Sequence, residues 1–432
     1  MRSMTEGLLQ SKKRMKKSMK QPLRRSRAGS PCTGEPKSAQ TRRAGACSRR
    51  GINNKEKTMK RQWTPEEAWA WYNNRPWIVG FNYVPACCAS IFDMWQEHRH
   101  AERMPAIRRE IERAREIGYN GIRLIMSFYC WEKEHDGYME RLEEYLTLFA
   151  ENGIRTMIVF GNDCSVPIER YREPTFGEQH VDMGYHGGIA VSPHAGMPGV
   201  GYTVVDDPVR FDAFNEMVRE IVSKYAKDER VEIWNIYNEL GNGRRRDKSV
   251  PAMERFFATA RACDPIQPLT ADTWTIVYWS DDPLNPERVP LNPWEKRAVE
   301  LSDVVSYHDY HSYDSSVMTI KYLRDTYHRP LLNTEWLHRM QHNTVQTHLP
   351  LFYLEKVGCY HWGFVAGLNQ TYEPWESIWA RCERGELPED VDFTKWQHDI
   401  LRPNLRPYDP HEIETIRRYL ALSKKDFEAA QK

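Results

Sequence analysis

The stretch Val231-Glu-Ile-Trp-Asn-Ile-Tyr-Asn-Glu239 is apolar, β-branched or aromatic at most positions and ends in the polar pair Asn238-Glu239. This composition predicts a buried strand that carries a carboxylate at its C-terminal end. A second stretch, Pro330-Leu-Leu-Asn-Thr-Glu335, has the same design. Because the C-terminal ends of the strands of a parallel barrel meet on one face, we expect Glu239 and Glu335 to lie close together.

Outward from these two strands, short apolar runs alternate with amphipathic stretches, which is the pattern of parallel β/α units. The alternation predicts a single (β/α)8 TIM barrel of the α/β class over residues 61–432. The eight predicted strands are 77–84, 121–125, 154–160, 231–239, 268–272, 304–308, 331–335 and 358–362. The predicted helices are 101–117, 139–152, 208–226, 250–263, 293–301, 344–356 and 411–422.

Three segments lack this alternation. Residues 1–60 are rich in Lys and Arg without apolar periodicity, which predicts a disordered basic tail or an upstream extension before Met59. Residues 161–206 are rich in Gly, Pro and His and predict a long loop after the third strand, serving as a lid or wall of a site. Residues 363–410 read as an extended, aromatic- and Pro-rich return.

The overall composition excludes several classes of protein. The 61 basic residues balance 60 acidic ones, so no global electrostatic argument favours a nucleic acid or a membrane surface as partner. No apolar run of the length of a signal peptide or a membrane span follows Met1 or Met59, which predicts a cytoplasmic protein, with export open if the start is misassigned. The nine cysteines include no C-x-x-C pair and predict free thiols.

Polar or aromatic residues stand at the C-terminal ends of the predicted strands, where barrel enzymes carry their chemistry. They are Asn82, Tyr83, Arg123, Asn162, Asp163, Asn238, Glu239, Asp272, His308, Tyr310, Glu335 and Trp362. Trp274 follows in the loop after the fifth strand. Two carboxylates on separate strand ends supply the proton donor and the nucleophile that a retaining glycoside hydrolase requires. The high aromatic content, 12%, is consistent with sugar binding, although core packing explains aromatic residues equally well.

This ordered set of residues resembles clan A of the retaining glycoside hydrolases, most closely the family 5 type. The resemblance covers about residues 75–365 and rests on Arg123, Asn238-Glu239, His308-Asp-Tyr310, Glu335 and Trp362. The stretch Trp362-Gly-Phe-Val-Ala-Gly-Leu-Asn-Gln-Thr371 is also similar to bacterial proteins labelled cellulase-family or xylanase-like. The resemblance implies hydrolysis of β-linked oligosaccharides or polysaccharides by double displacement, without a cofactor.

Residue by residue, the resemblance implies that Glu239 is the general acid/base, which needs a raised pKa. Glu335 would be the nucleophile, which must stay ionised, and Arg123 would favour its charged form. Asn238 would hydrogen-bond the sugar 2-hydroxyl in the transition state.

The remaining candidates would bind or position the substrate. By the same resemblance, Tyr310 would orient Glu335, His308 would line the site, and Trp362 would form the floor under the sugar. Family 5 enzymes usually carry a His near the end of the third strand, where this chain has Gly161-Asn162-Asp163. Asn162 would make the lost hydrogen bond. Tyr83 and Trp274 complete the predicted substrate-binding set.

Two other classes of function stay open at this point. A catalytically silent carbohydrate-binding barrel would keep the aromatic residues but should have lost a carboxylate. A metal-dependent barrel hydrolase would use His308 and His311, or the loop residues His180, His186 and His194, yet no obvious third ligand accompanies the first pair. We therefore expect no metal. The run Arg244–Arg246 is interpreted as a solvated loop. The sugar configuration, exo or endo action and the oligomeric state are left open.

Overall fold

The computed structural model describes residues 61–192, 198–275, 278–279, 287–288, 291–386 and 391–432. Residues 58–432 make up one compact unit. The predicted disordered tail, residues 1–60, and His194 lie outside the described residues.

Within the described residues, eight parallel strands form the barrel, which confirms the predicted fold. The strands are β1 (Val79–Asn82), β2 (Gly121–Ile125), β3 (Arg155–Asn162), β4 (Val231–Asn238), β5 (Leu269–Ala271), β6 (Val305–His308), β7 (Leu331–Trp336) and β8 (Gly358–His361). Each strand except β5 pairs with the next strand in the chain, and β8 pairs with β1. Between β5 and β6 the barrel is joined by a parallel bridge from Thr273 to Tyr307.

Helices alternate with these strands on the outside of the barrel. They are α1 (Pro65–Asn73), α2 (Ile91–Trp95), α3 (His100–Ile117), α4 (Phe128–Lys133), α5 (His135–Glu151), α6 (Pro208–Tyr225), α7 (Val250–Ala262), α8 (Pro293–Leu301), α9 (Tyr313–Tyr327), α10 (Val345–Leu354), α11 (Glu376–Glu383) and α12 (Pro410–Ala430). A two-stranded hairpin, Tyr278–Trp279 with Glu287–Arg288, follows β5. No helix in the described part of the chain combines the length and apolarity needed to cross a membrane.

The sequence patterns missed some of these helices. Helix α9 was not predicted because two of its four buried residues are Ser316 and Thr319, so its apolar period is weak. The short helices α1, α2, α4 and α11 were also not predicted. The closing helix, predicted to end at residue 422, continues to Ala430, since its last two turns are mostly exposed and give no apolar pattern.

The barrel interior has an apolar end and a polar end. Residues early in the strands, such as Met157, Ile233 and Leu332, form a buried cluster with Ala68 and Tyr72 of α1, so α1 covers the N-terminal end. Burial of such side chains stabilises the fold by about 1.5–3 kcal/mol each. The polar side chains come later in the strands, and the site is therefore expected at the opposite, C-terminal end.

The long loop after β3 is tied to the loop after β4 by one guanidinium. Arg245 is 2% exposed, and its Nε lies 2.8 Å from Asp163 at the end of β3. Its Nη1 donates to the carbonyl of Gly201 at 2.6 Å and lies 2.8 Å from a carboxylate oxygen of Asp206. The interpretation of Arg244–Arg246 as a solvated run is wrong for Arg245, because a buried charge of this kind needs paired carboxylates, and two are provided.

Candidate active site

One pocket of about 640 Å³ opens at the C-terminal ends of the strands. Eight of the predicted residues line it directly, Trp362 among them. The other seven are Asn162, Asn238, Glu239, Trp274, His308, Tyr310 and Glu335. Arg123 lies beneath the pocket floor, fully buried, and contacts two of the lining residues.

Tyr83 is the predicted site residue that the structure does not bring to this pocket. Successive side chains of a strand point to opposite sides, and Asn82 points into the barrel, where it accepts a hydrogen bond from Arg123 at 2.7 Å. Tyr83 accordingly packs outside the strands, and its hydroxyl donates to Glu110 of α3 at 2.8 Å. It is a core residue of the β1–α3 contact.

The two carboxylates face each other across His308. One atom each from Glu239, His308 and Glu335 lies within 4.8 Å of the others. His308 Nδ1 lies 2.7 Å from Glu239 Oε1 and 3.5 Å from Glu335 Oε2. Asn242 donates from Nδ2 to the other oxygen of Glu239 at 2.5 Å. Glu239 follows β4 directly and has a φ of 47°, a left-handed backbone that costs energy in a non-glycine residue.

Arg123 organises the charges below the pocket. Its Nη1 donates to Glu335 at 2.8 Å, and its Nη2 donates to Asp272 at 2.7 Å and to Asn238 at 2.5 Å. Burial works to lower the pKa of Arg123, but the carboxylates of Asp272 and Glu335 outweigh burial and raise it. Burial works to raise the pKa of Asp272, but Arg123 and His308 hold that pKa well below its usual range. Arg123 and Asp272 therefore form an ion pair in which both side chains are charged at neutral pH.

Burial and neighbouring charges act in opposite directions on the pKa of Glu335. Burial raises the pKa of Glu335 above its ordinary value, and the nearby charge of Glu239 adds to the rise. The positive charges of His308 and Arg123 oppose it, as does the hydrogen bond that Tyr310 donates at 2.9 Å. The ionised form of Glu335 therefore depends on its two cationic neighbours.

His308 is the group whose charge depends on pH in the alkaline range. Burial works to lower its pKa, but Glu335 and Asp272, together with a hydrogen bond to Glu239, raise the pKa to about 10. The stabilising contribution of a raised pKa is complete below the unfolded value, about 6.5, and is lost as the pH rises through the folded value.

We therefore expect the free energy of unfolding to fall above neutral pH, with a slope of up to about 1.4 kcal/mol per pH unit from His308 alone. Urea unfolding of the wild type and of His308→Gln between pH 6 and pH 10 measures this term. The difference between the two proteins should shrink as pH rises. A constant difference would show that folding does not shift the pKa of His308.

Asn162 lies at the end of β3, where the resemblance to family 5 led us to expect a histidine in the family. Its side-chain oxygen accepts hydrogen bonds from Asn238 Nδ2 at 2.9 Å and from the backbone N–H of Cys164 at 2.8 Å. Asn238 is thus fixed from two sides, by Asn162 and by Arg123. Direct contact of Asn162 or Asn238 with a sugar stays a prediction.

The structure adds pocket residues that the sequence patterns did not indicate. Trp375, His398 and Asn242 line the pocket, and so does His186, which the sequence had offered only as a metal-ligand alternative. The ring of Tyr310 lies 5.3 Å from that of Trp375 and 5.5 Å from that of His398, so these aromatic groups form one wall. Trp375 and His398 come from the return segment 363–410. This segment has no apolar periodicity to show which of its residues face the pocket, and only its aromatic content suggested a role.

Comparisons with known proteins relate this chain to a family of enzymes and to several solved structures. A family model described as Cellulase (glycosyl hydrolase family 5) matches residues 94–374. A search of curated protein sequences gives no significant match. Among solved structures, an exo-β-1,4-mannosidase from Opitutaceae bacterium strain TAV5 is 16% identical, with a TM-score of 0.49 over 83% of this chain and 61% of that chain.

Two further solved structures are similar to this chain. An endo-β-1,4-mannanase from Thermotoga petrophila is 14% identical, with a TM-score of 0.46 over 82% of this chain and 78% of that chain. A family 42 β-galactosidase from G. stearothermophilus is 10% identical, with a TM-score of 0.51 over 82% of this chain and 57% of that chain. This chain thus spans less than two thirds of the mannosidase and of the galactosidase. Since the family model covers more than half of the sequence, the chain belongs to the cellulase family, glycosyl hydrolase family 5.

Proposed function

We propose that the protein is a retaining β-glycoside hydrolase in which Glu239 is the acid/base and Glu335 the nucleophile. The observation that carries the proposal is the approach of the two carboxylates, which place oxygens within 4.8 Å of each other. Retaining enzymes hold their carboxyl groups about 5–5.5 Å apart, whereas inverting enzymes need about 6.5–9.5 Å to admit a water molecule. The substrate class is β-linked oligosaccharides or polysaccharides.

In the first step, an oxygen of Glu335 attacks the anomeric carbon as the glycosidic C–O bond breaks. Glu239 gives its proton to the departing oxygen, and a glycosyl ester of Glu335 forms. In the second step, Glu239 takes a proton from water, the hydroxide oxygen attacks the same carbon, and the ester bond to Glu335 breaks. Two inversions retain the β configuration.

The surrounding charges favour this exchange of roles. With His308 and Arg123 positive and Asp272 and Glu335 negative, the group is balanced when Glu239 carries its proton. Formation of the ester removes the negative charge of Glu335 and leaves one excess positive charge in the group. That excess favours the ionised form of Glu239, which is the form that accepts a proton from water.

The test is hydrolysis of a panel of aryl β-glycosides and β-linked oligosaccharides of gluco, manno, galacto and xylo configuration by the wild type. Proton NMR within the first turnovers distinguishes the anomers before mutarotation mixes them. A β product from a β substrate supports the proposal. An initial α product would contradict it, and cleavage of nothing in the panel would favour a barrel that only binds sugars.

Glu239→Gln should separate substrates by their leaving group. Oligosaccharides, whose departing oxygen needs a proton, are expected to lose about 10²–10⁴-fold in kcat/KM. Dinitrophenyl glycosides, whose leaving group departs as an anion, should keep most of theirs. Steady-state kinetics with both substrate types measures the ratio, and Glu229→Gln, an exposed residue before β4, is the matched control. Equal losses on both substrates would exclude Glu239 as the proton donor.

The metal-dependent alternative also has an observation in its favour, since Glu239, His308 and Glu335 would together offer three ligand atoms. In the proposed mechanism, the positive charge that such a metal would provide comes from the imidazolium of His308. The two functions are distinguished by activity after dialysis against EDTA, with metal analysis of the same sample. The glycosidase proposal expects full activity, and loss that is restored by one divalent cation would replace it.

A further inference from the structure

A second cavity of about 640 Å³ adjoins the active-site pocket. The two cavities share Ile91, Ile125, Asn162 and Cys164 as lining residues, so they are continuous at the ends of β2 and β3. The long loop after β3 forms the far wall. We call this space the loop chamber and define it by Met126, Phe128, Phe160, Val166, Val191 and Tyr202.

The lining of the loop chamber differs in chemistry from that of the catalytic pocket. Aliphatic and phenyl groups from β2, β3 and α6 form its inner side, including Met126, Phe160 and Phe214. The hydroxyls of Tyr129 and Tyr171 are hydrogen-bonded to each other. A sugar ring buried here would leave most of its hydroxyls without partners, which costs about 1–3 kcal/mol for each unsatisfied group.

The three charged residues of the lining are exposed or already engaged: Arg170 and Arg172 are exposed, and Asp182 is hydrogen-bonded. Asp182 accepts a hydrogen bond from the backbone N–H of Ala190 at 3.1 Å and lies 3.0 Å from His180. Arg172 is exposed and donates to the backbone carbonyls of Glu169 and Tyr171 at 3.1 Å and 2.6 Å. The remaining lining is mostly apolar or aromatic, with Ser127, Ser165 and Thr203 as its aliphatic hydroxyl groups, so the chamber offers more apolar surface than hydroxyl-binding groups.

The rim of the chamber is apolar and open to water. Ile189 is 42% exposed and Val191 is 39% exposed, and both line the chamber. Of the fourteen large hydrophobic side chains exposed among the described residues, seven lie on this one loop. Ile189 and Val191 are the two of these seven that line the chamber, and exposed apolar surface at the mouth of a cavity is typical of a binding site.

The position of the chamber indicates which part of a substrate it receives. Glu239 stands at the end of β4, next to β3, whereas Glu335 stands on β7 across the barrel. The departing oxygen must lie on the side of its proton donor. The chamber opens on that side, beside Asn162, which pairs with Asn238.

We propose that the loop chamber binds an apolar aglycone, an aryl group or an alkyl chain joined to the sugar at the scissile bond. This inference rests on the proposed glycosidase function for its kinetic consequence, but not for the binding itself. Burial of one methylene group is worth about a fourfold gain in affinity or in kcat/KM. The gain should continue with chain length until the chamber is filled.

The kinetic experiment uses methyl, butyl, hexyl and octyl β-glycosides of the sugar that the wild type cleaves. We expect kcat/KM to rise by up to about fourfold per methylene in the wild type. Val191→Asp places a charge at the rim and should flatten this rise. Val209→Asp is the matched control, because Val209 is 79% exposed on α6 outside the chamber, and it should keep the wild-type dependence on chain length.

A binding experiment decides the matter even if no glycoside is cleaved. Fluorescence titration with 1-anilinonaphthalene-8-sulfonate should give one saturable site in the wild type and in Val209→Asp. In Val191→Asp the affinity should fall at least tenfold, and n-hexanol should displace the dye from the wild type. Equal dye affinity in all three proteins, no binding in any, or a flat chain-length series in a wild type that does hydrolyse glycosides would overturn the proposal.

Discussion

Glu335→Gln is expected to lower kcat by about 10⁴-fold or more on every glycoside that the wild type cleaves, because the amide cannot form the glycosyl ester. The fold should persist, since Gln has the same shape and Tyr310 can turn its hydroxyl to suit the amide. The variant should therefore unfold near the wild-type urea concentration. Kinetics and unfolding measured on the same preparation separate loss of chemistry from loss of structure.

The anomeric outcome of chemical rescue identifies the residue as the nucleophile. Glu335→Gly leaves space beside the anomeric carbon, and added azide should attack there on an aryl β-glycoside and give the α-glycosyl azide. Azide added to Glu239→Gly should instead attack the intermediate and give the β-glycosyl azide. Glu151→Gln, exposed at the end of α5, is the control for a neutral carboxylate replacement. Wild-type rates in Glu335→Gln would move the chemistry to other residues of the pocket.

Arg123→Met should have the largest effect on stability. It removes the guanidinium from between Asp272 and Glu335 and leaves both carboxylates buried without their shared partner. Removal of one member of such a buried group costs about 3–5 kcal/mol. The free energy of unfolding from urea titration at pH 7 measures the loss. A change below about 1 kcal/mol would show that the ion pair is not a stabilising element.

The same variant should alter the pH dependence of catalysis. Loss of a positive charge beside Glu335 raises the pKa of that carboxyl further, so less of it is ionised at a given pH. The acidic limb of the kcat profile is therefore expected to move to higher pH. Arg123→Met with Asp272→Asn is the matched control, because it also removes one buried negative charge and should recover part of the lost stability. An unchanged acidic limb would mean that Glu335 is not the group titrating there.

The sequence predicted the barrel and the approach of Glu239 to Glu335 because both depend on strong local patterns. Strand β4 is buried at every position, as its mostly apolar composition indicated, and the polar residues Asn238 and Glu239 mark its end. Arg123 is a charged residue within the short apolar strand β2, and this contrast indicated a role in the site. These patterns place residues on strand ends, and parallel strands of a barrel then bring the ends together.

Other features depend on geometry that no local pattern carries. Asn82 and Tyr83 are adjacent at the end of β1, and the composition did not tell which one faces inward. Asn242 reaches Glu239 only because Glu239 and the glycines after it adopt left-handed backbone conformations. Trp375 and His398 belong to the segment that follows β8, which has no apolar periodicity. Contacts of this kind are set by tertiary structure.

Arg245 bears on how this barrel can change over evolutionary time. One guanidinium holds Asp163 before the long loop and Gly201 and Asp206 near its end, so both ends of the loop are anchored to the same point. A loop anchored in this way can gain, lose or exchange residues between its ends at little cost to the scaffold. Residues of the loop that line the loop chamber can therefore change during evolution without a change in Glu239, Glu335 or the charged residues around them.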